Sequence, residues 1–210
     1  IKPGIDAHTH DFIRTGQIDS KFGLALETGE AFEAVKEVIA QKNLTLKGLH
    51  CHIGSQIFDV DPFKLAARVM LELMARIKNE LSYEVEELNL GGGFGIKYLK
   101  DDDAKPYELF MQEVSGVVKD SCKELGLRVP FILIEPGRSI VGPAGTTLYT
   151  VGAVKTIPNV RTYVSVDGGM GDNPRYILYQ SEYSAAVANR VTAPAKFEAV
   201  SYTHLRAHET

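Results

Sequence analysis

The stretch Gly48-Leu49-His50-Cys51-His52-Ile53-Gly54-Ser55 puts two histidines and a cysteine on an apolar run, with a glycine and a serine directly after it. Side chains alternate along a strand, so His50 and His52 share one face and Cys51 takes the other. The same arrangement, an apolar run ending in chemically unusual residues, recurs twice. Val85 to Leu90 runs into Gly91-Gly92-Gly93-Phe94-Gly95, and Phe131-Ile132-Leu133-Ile134 runs into Glu135-Pro136-Gly137-Arg138. Helical patterns separate these runs. Gly29 to Lys42 carries Phe32, Val35, Val38 and Ile39 at helical spacing. Asp61-Pro62 predicts the start of a long helix, with Asp61 as N-cap and Pro62 at the first helical position. Its buried face is Phe63, Ala66, Met70, Leu73, Met74, Ile77 and Leu81. Pro106 opens a third helix and Gly126 stops it.

Strands apolar on both faces, each reached through a helix, specify α/β architecture with a parallel sheet under helices. Half of a (β/α)8 barrel and a doubly wound sheet both satisfy the pattern. In either, ligands bind at the C-terminal ends of the strands, where His52, the glycine run and Glu135 lie. After about Pro143 the pattern changes. Thr147 to Ile157 and Val160 to Val166 are β-rich, joined by the turn signal Pro158-Asn159, with no helix between them. The expected organisation is therefore residues 1–143 as an α/β domain and 144–199 as the beginning of an antiparallel β domain. Residues 200–210, ending in SYTHLRAHET, have no apolar period and read as a non-native tail. The chain opens on Ile1 rather than Met, which is expected of an internal fragment.

The 210 residues are 44% hydrophobic, enough for a real core, and carry a net charge of −4. Nothing in that mild charge calls for nucleic acid or an anionic membrane as a partner. No run approaches the ~20 apolar residues of a membrane span. Two cysteines, Cys51 and Cys122, are too few for a disulfide framework and suit a reducing cytoplasm.

Glycines after a strand let backbone N–H groups turn toward an anion, and phosphate is the usual guest. The run is neither Gly-x-Gly-x-x-Gly nor followed by Gly-Lys-Ser/Thr, so no dinucleotide or nucleoside triphosphate is favoured; a plain flexible turn is the alternative. Glu135 at a strand end is either paired with Arg138 or available to hold a proton on a heteroaromatic nitrogen. His50-x-His52 and His8-x-His10 together also suit a zinc-dependent barrel hydrolase. Against zinc, Gly54-Ser55 fits a phosphate contact, and His8-Thr9-His10 reads as loop. His50 is expected to be a core histidine, and Cys51 to pack against a helix. A phosphate cradle, a flat ring (His52) and a carboxylate for a ring nitrogen together describe pyridoxal 5'-phosphate.

The segments GLHCHIGSQI, LNLGGGFGI, EPGRSIVGPAG and VDGGMGDNPRYILY, with IKPGIDAHTHDFIRTGQIDSKFGL before them, are similar in order and spacing to the diaminopimelate decarboxylase family. That family belongs to the alanine-racemase-like (fold-type III) pyridoxal-phosphate enzymes, and the resemblance covers residues 1 to about 190. It implies a partial (β/α)8 TIM barrel followed by the start of an antiparallel β domain. It implies decarboxylation of meso-2,6-diaminopimelate to L-lysine and carbon dioxide, in a cytoplasmic homodimer with shared active sites. On that resemblance His52 would stack on the cofactor ring, Ser55, Gly91, Gly92 and Gly93 would hold its phosphate, and Glu135 would pair with the ring nitrogen. Gly137 and Arg138 would complete the phosphate and substrate side, and Arg138, Arg175 and Tyr179 would grip the distal carboxylate. A two-pronged guanidinium suits a second carboxylate, whereas ornithine or arginine would need acids there. The family's Schiff-base lysine and its later cysteine match no residue of this chain, so the isolated 210 residues are expected to be inactive. A related basic amino-acid decarboxylase, a zinc hydrolase and a catalytically dead cofactor-binding protein remain as alternatives.

Overall fold

The structure, a computed structural model, describes residues 1–5, 22–169, 171–172, 174–179, 181 and 184–192. His8, His10 and the tail from residue 200 lie outside these. The chain divides into two compact units, one formed by residues 1–96 with 103–143 and the other by residues 97–102 with 144–210.

The first unit repeats strand, helix, strand. Helix α1 (Glu30–Ala40) precedes β1 (Gly48–His50); α2 (Asp61–Leu81) leads to β2 (Glu87–Asn89), and α3 (Tyr107–Leu125) to β3 (Phe131–Leu133). The strands form one parallel sheet in the order β1-β2-β3, in the register His50–Asn89–Leu133. Parallel pairing follows from the connections, since each intervening helix carries the chain back to the same end. The strands are shorter than their apolar runs because ladder pairing stops where the loops diverge.

Helix α2 buries the expected Phe63, Ala66, Met70, Leu73, Met74 and Ile77, and also Ala67 and Leu71, while Leu81 is only partly buried. The apolar stripe is therefore wider than a single row, as a helix packed on both a sheet and a neighbouring helix requires. Its start differs from expectation. Val60 occupies the cap position with helical φ, Asp61 is the first helical residue, and no side chain caps the end. Asp61 instead pairs with Lys64 one turn on, at 3.0 Å. At the other end of α3, Gly126 adopts φ +66° and closes the helix.

Aromatic rings meet within the apolar core under the sheet. Phe94, from the glycine run, stacks on Phe63 of α2 with ring centroids 4.9 Å apart and meets Phe110 of α3 edge-on at 5.2 Å. Cys51 is fully buried in the same core, and burial pushes its thiol up to about 12. Strand β3 departs from the expected two-sided burial, because Phe131 and Leu133 are exposed while Ile132 packs against the core. Being on one face, they mark the side of the sheet that α2 and α3 leave uncovered.

In the second unit β4 (Val151–Ile157) and β5 (Arg161–Val166) pair antiparallel, starting later than the sequence pattern at Thr147 predicts. The turn between them holds Asn159 at φ +62°. Ser165 Oγ receives the Ala153 N–H and donates to the Ala153 carbonyl, filling the irregularity between Val151 and Val154. Among the described residues no helix is long and apolar enough to cross a membrane.

Candidate functional site

Three loops leave the C-terminal ends of β1, β2 and β3 and pack directly on one another. The Cys51 N–H donates to the Asn89 carbonyl at 3.0 Å, the Leu90 N–H to Leu133 at 3.0 Å, and the Glu135 N–H to Gly91 at 2.8 Å. Farther along, Ile57 donates to the Gly93 carbonyl at 2.9 Å. The sheet hydrogen bonding thus continues into the loops past the strand ends.

The glycines make this approach possible. A Cβ on Gly92 would lie 2.2 Å from the Glu135 carbonyl, and one on Gly93 2.2 Å from that of Gly54. Gly93 also has φ +97°, a conformation that side chains other than glycine adopt only with strain. Sequence reasoning assigned all three glycines to phosphate. In the structure the Gly91 N–H is taken by Asn89 Oδ1 at 2.9 Å and the Gly92 N–H by His52 Nδ1 at 3.3 Å. The Gly91 amide is therefore spent within its own turn and the Gly92 amide on the neighbouring loop, while Gly93 borders open space.

That space is a cavity of about 260 Å³ lined by His52, Ser55, Gly93, Phe94, Glu135, Gly137, Arg138 and Ser139. Its size lies just below the ~300–1,000 Å³ usual for small-molecule sites. Six of these residues were picked out from the sequence as site candidates; Phe94 and Ser139 were not. Ser139 lies on a short helix, α4 (Arg138–Val141), and its Oγ accepts the Tyr107 hydroxyl at 2.6 Å. Four consecutive residues carry no periodic signal, so α4 was invisible to pattern reading. Gly91 and Gly92 do not line the cavity.

His52 is half-buried, and its ring nitrogen Nδ1 accepts from Gly92. Burial lowers its pKa, His50 lowers it further, and Glu135 opposes both. Accepting from Gly92 requires an unprotonated Nδ1, and the lowered pKa favours the neutral ring. His50 is not the core histidine expected from the sequence. It is exposed, because the strand face it shares with Leu133 is uncovered, and its Nε2 stands 3.5 Å from Glu135 Oε2. The other Glu135 oxygen accepts from Asn89 Nδ2 at 2.8 Å. Glu135 is thus partnered by Asn89 and His50; the pairing with Arg138 that the sequence left open is not among the ion pairs of the described residues. No group of three or more His, Cys, Asp or Glu is arranged to hold a metal ion among the described residues.

Arg175 and Tyr179 belong to the second unit. They open and close helix α5 (Arg175–Tyr179), four residues apart and so on one face. The Arg175 guanidinium lies 4.4 Å over the Tyr98 ring, and its Nη2 donates to Ser181 Oγ at 3.4 Å. Its Nε is buried with no hydrogen-bond partner among the described residues.

Known proteins give this geometry a context. Residues 1–142 match the family model described as pyridoxal-dependent decarboxylase, pyridoxal binding domain. The chain is 51% identical over 195 residues to a diaminopimelate decarboxylase of Bacillus methanolicus, covering 93% of this chain and 45% of that protein. It is 50% identical to one of Bacillus subtilis, covering 91% and 44%. Among solved structures, a diaminopimelate decarboxylase from Helicobacter pylori complexed with L-lysine superposes with a TM-score of 0.77 at 29% identity, over 93% of this chain and 45% of that one. One from M. jannaschii gives 0.75 at 36% identity, over 87% and 41%. The chain spans under half the length of these relatives. On a family match that runs over most of its length, the chain belongs to the pyridoxal-dependent decarboxylases, through their pyridoxal-binding domain.

Proposed function

We propose that this chain is part of a diaminopimelate decarboxylase, a cytoplasmic carboxy-lyase that converts meso-2,6-diaminopimelate to L-lysine and carbon dioxide. The activity is proposed for the whole protein that carries the chain. The observation that carries the reading is the single cavity onto which His52, Ser55, Gly93, Glu135, Gly137 and Arg138 all open. Identity of about half to diaminopimelate decarboxylases over nearly the whole chain supports it.

The residues present fit pyridoxal 5'-phosphate. The cavity lining offers the hydroxyls of Ser55 and Ser139, the backbone of Gly93 and Gly137, and the Arg138 cation. A Cβ added at Gly137 would meet no atom within 4 Å, so the space beside it is open. The same lining includes the Glu135 carboxylate and the His52 ring. In this reading Ser55, Gly93, Gly137 and Arg138 hold the phosphate, Gly91 and Gly92 shape the loop that presents Gly93, and His52 lies against the face of the pyridine. Glu135 holds a proton at the pyridine nitrogen. Bound there, the cofactor supplies a sink for the electron pair left when a carboxylate departs as carbon dioxide.

Arg138, Arg175 and Tyr179 are assigned to the substrate. In this reading the Arg175 guanidinium, with its fork of N–H donors, takes the second carboxylate. That favours a diacid over ornithine or arginine, whose far ends are cations. The domain reading follows the same line: residues 1–143 form the C-terminal part of a PLP-binding (β/α)8 barrel, and 144–199 begin a β domain. We read the parent as a homodimer with shared active sites, acting on a small molecule and on neither nucleic acid nor membrane.

The test is carbon dioxide release by the whole protein, loaded with pyridoxal phosphate, from meso-diaminopimelate, ornithine and arginine. Diaminopimelate is expected to be preferred, and Arg175→Ala to raise its KM at least tenfold. Release from ornithine or arginine but not from diaminopimelate overturns the assignment.

A further inference from the structure

Glu135 has an exposed side chain with three rotatable bonds, yet its proposed task needs it aimed at one atom. A free carboxylate on such a side chain spreads over several rotamers, and fixing it costs rotamer entropy. Something must select its direction before a ligand arrives. The structure contains that selector, on a strand that does not itself line the cavity.

Asn89 is the last residue of β2, the central strand. Its main chain pairs with His50 on one side and Leu133 on the other. Its side-chain amide is divided between two loops. Oδ1 accepts the Gly91 N–H at 2.9 Å, and Nδ2 donates to Glu135 Oε1 at 2.8 Å. The second Glu135 oxygen faces His50 Nε2 at 3.5 Å. We infer that Asn89 is a positioning residue of the site, locking the Glu135 carboxylate to the glycine loop so that acid and phosphate cradle hold one spacing.

The chemistry explains the residue type. The position needs an acceptor for a backbone N–H and, one bond away, a donor for a carboxylate. Asparagine supplies both on a short side chain. Aspartate keeps the acceptor toward Gly91 but loses the donor, and sets a second negative charge against Glu135. Serine and alanine fall short of Glu135 altogether. The inference rests on the reading of Glu135 as the partner of the cofactor nitrogen, although the Asn89–Glu135 bond itself does not.

The substitutions separate a positioning role from a merely structural one. If Asn89 only braced the glycine loop, Asn89→Asp would behave like wild type, because its acceptor survives. If it positions Glu135, Asn89→Asp is worse than Asn89→Ala. Two readouts are taken on the whole protein: Tm in the cofactor-free form, and the dissociation constant for pyridoxal 5'-phosphate. Asn89→Ala is expected to weaken binding about tenfold, and Asn89→Asp to weaken it further. In the cofactor-free form Asn89→Asp lowers Tm by about 3 °C. Adding Glu135→Gln restores most of that loss, because the amide then donates from position 135 to the carboxylate at 89.

Wild-type affinity in Asn89→Asp overturns the proposal, as do Tm changes of Asn89→Asp and Glu135→Gln that simply add. Should Asn89→Asp not fold, Asn89→Ser carries the test: about tenfold weaker binding is expected, and wild-type affinity refutes it. The underlying reading fails separately, if Glu135→Gln alone leaves cofactor affinity and absorption unchanged. The reciprocal swap in the cofactor-free protein still judges Asn89 in that case.

Discussion

The backbone N–H of Glu135 donates to the carbonyl of Gly91 over 2.8 Å. One hydrogen bond thus joins the end of the third strand to the glycine turn after the second. An acid for a ring nitrogen and a turn that presents phosphate donors must stand at the same end of the sheet, within reach of one small molecule. Placed at opposite ends, they could not share a ligand.

Gly93→Ala tests the closeness of that packing. The new Cβ meets the Gly54 carbonyl at 2.2 Å on a backbone with φ +97°, so the loop must move. Strain of this kind costs about 1–3 kcal/mol, and affinity for pyridoxal phosphate should fall at least tenfold. Gly116→Ala is the contrasting change. Gly116 sits exposed within α3 with nothing near its absent Cβ, and the substitution should stabilise the protein by about 0.5–1 kcal/mol in urea titrations.

His52 gives the first unit a sensitivity to mild acid. Its pKa is lowered in the folded protein, mainly by burial. Below its ordinary value of 6.5 the unfolded chain takes up a proton that the folded state resists. Stability therefore falls as pH drops through that value toward 5. His52→Phe keeps a flat ring and removes the titration, so its Tm should decline less between pH 7 and 5. Parallel Tm profiles for the two proteins would show that His52 contributes nothing to the slope.

Phe94 anchors the glycine loop to both covering helices, through Phe63 on α2 and Phe110 on α3. Phe94→Ala should cost about 3–5 kcal/mol, seen as a lower urea midpoint. Cofactor affinity should fall with it, because Gly93 is the neighbouring residue.

Arg68 ties α2 to α3. Its Nη2 donates to Glu124 Oε1 at 2.9 Å, and its Nε to Glu72 at 2.8 Å. These bonds hold Glu124 below its ordinary carboxylate value of 4.5. The stabilisation is present above that value and disappears as pH falls beneath it. Arg68→Gln should lower Tm slightly at pH 7, and the gap to wild type should narrow as pH falls below 4.5. A gap that persists in acid would assign the effect to packing of the Arg68 stem instead.

What the sequence revealed followed period and punctuation. The α2 stripe from Phe63 to Ile77, the Gly126 stop and the Pro158-Asn159 turn were readable because each is a local pattern with one physical cause. Asp61 was misplaced by one position, since a cap depends on where the preceding residue bends and Val60 already has helical φ. His50 was misjudged because burial depends on which sheet face is covered, a tertiary matter that one strand cannot report. Asn89 stood beside the glycine run and drew no notice. Its importance lies in two bonds, one of them to a residue 46 positions away, and no local pattern encodes such a distance.

The sheet hydrogen bonding that runs on past the strand ends has a thermodynamic consequence. Loops held by their own main chain have little freedom left to surrender, so an incoming molecule meets a receptor already close to its bound shape. Association should then proceed with a small entropic penalty and a heat signature dominated by the polar contacts at the two ends of the ring.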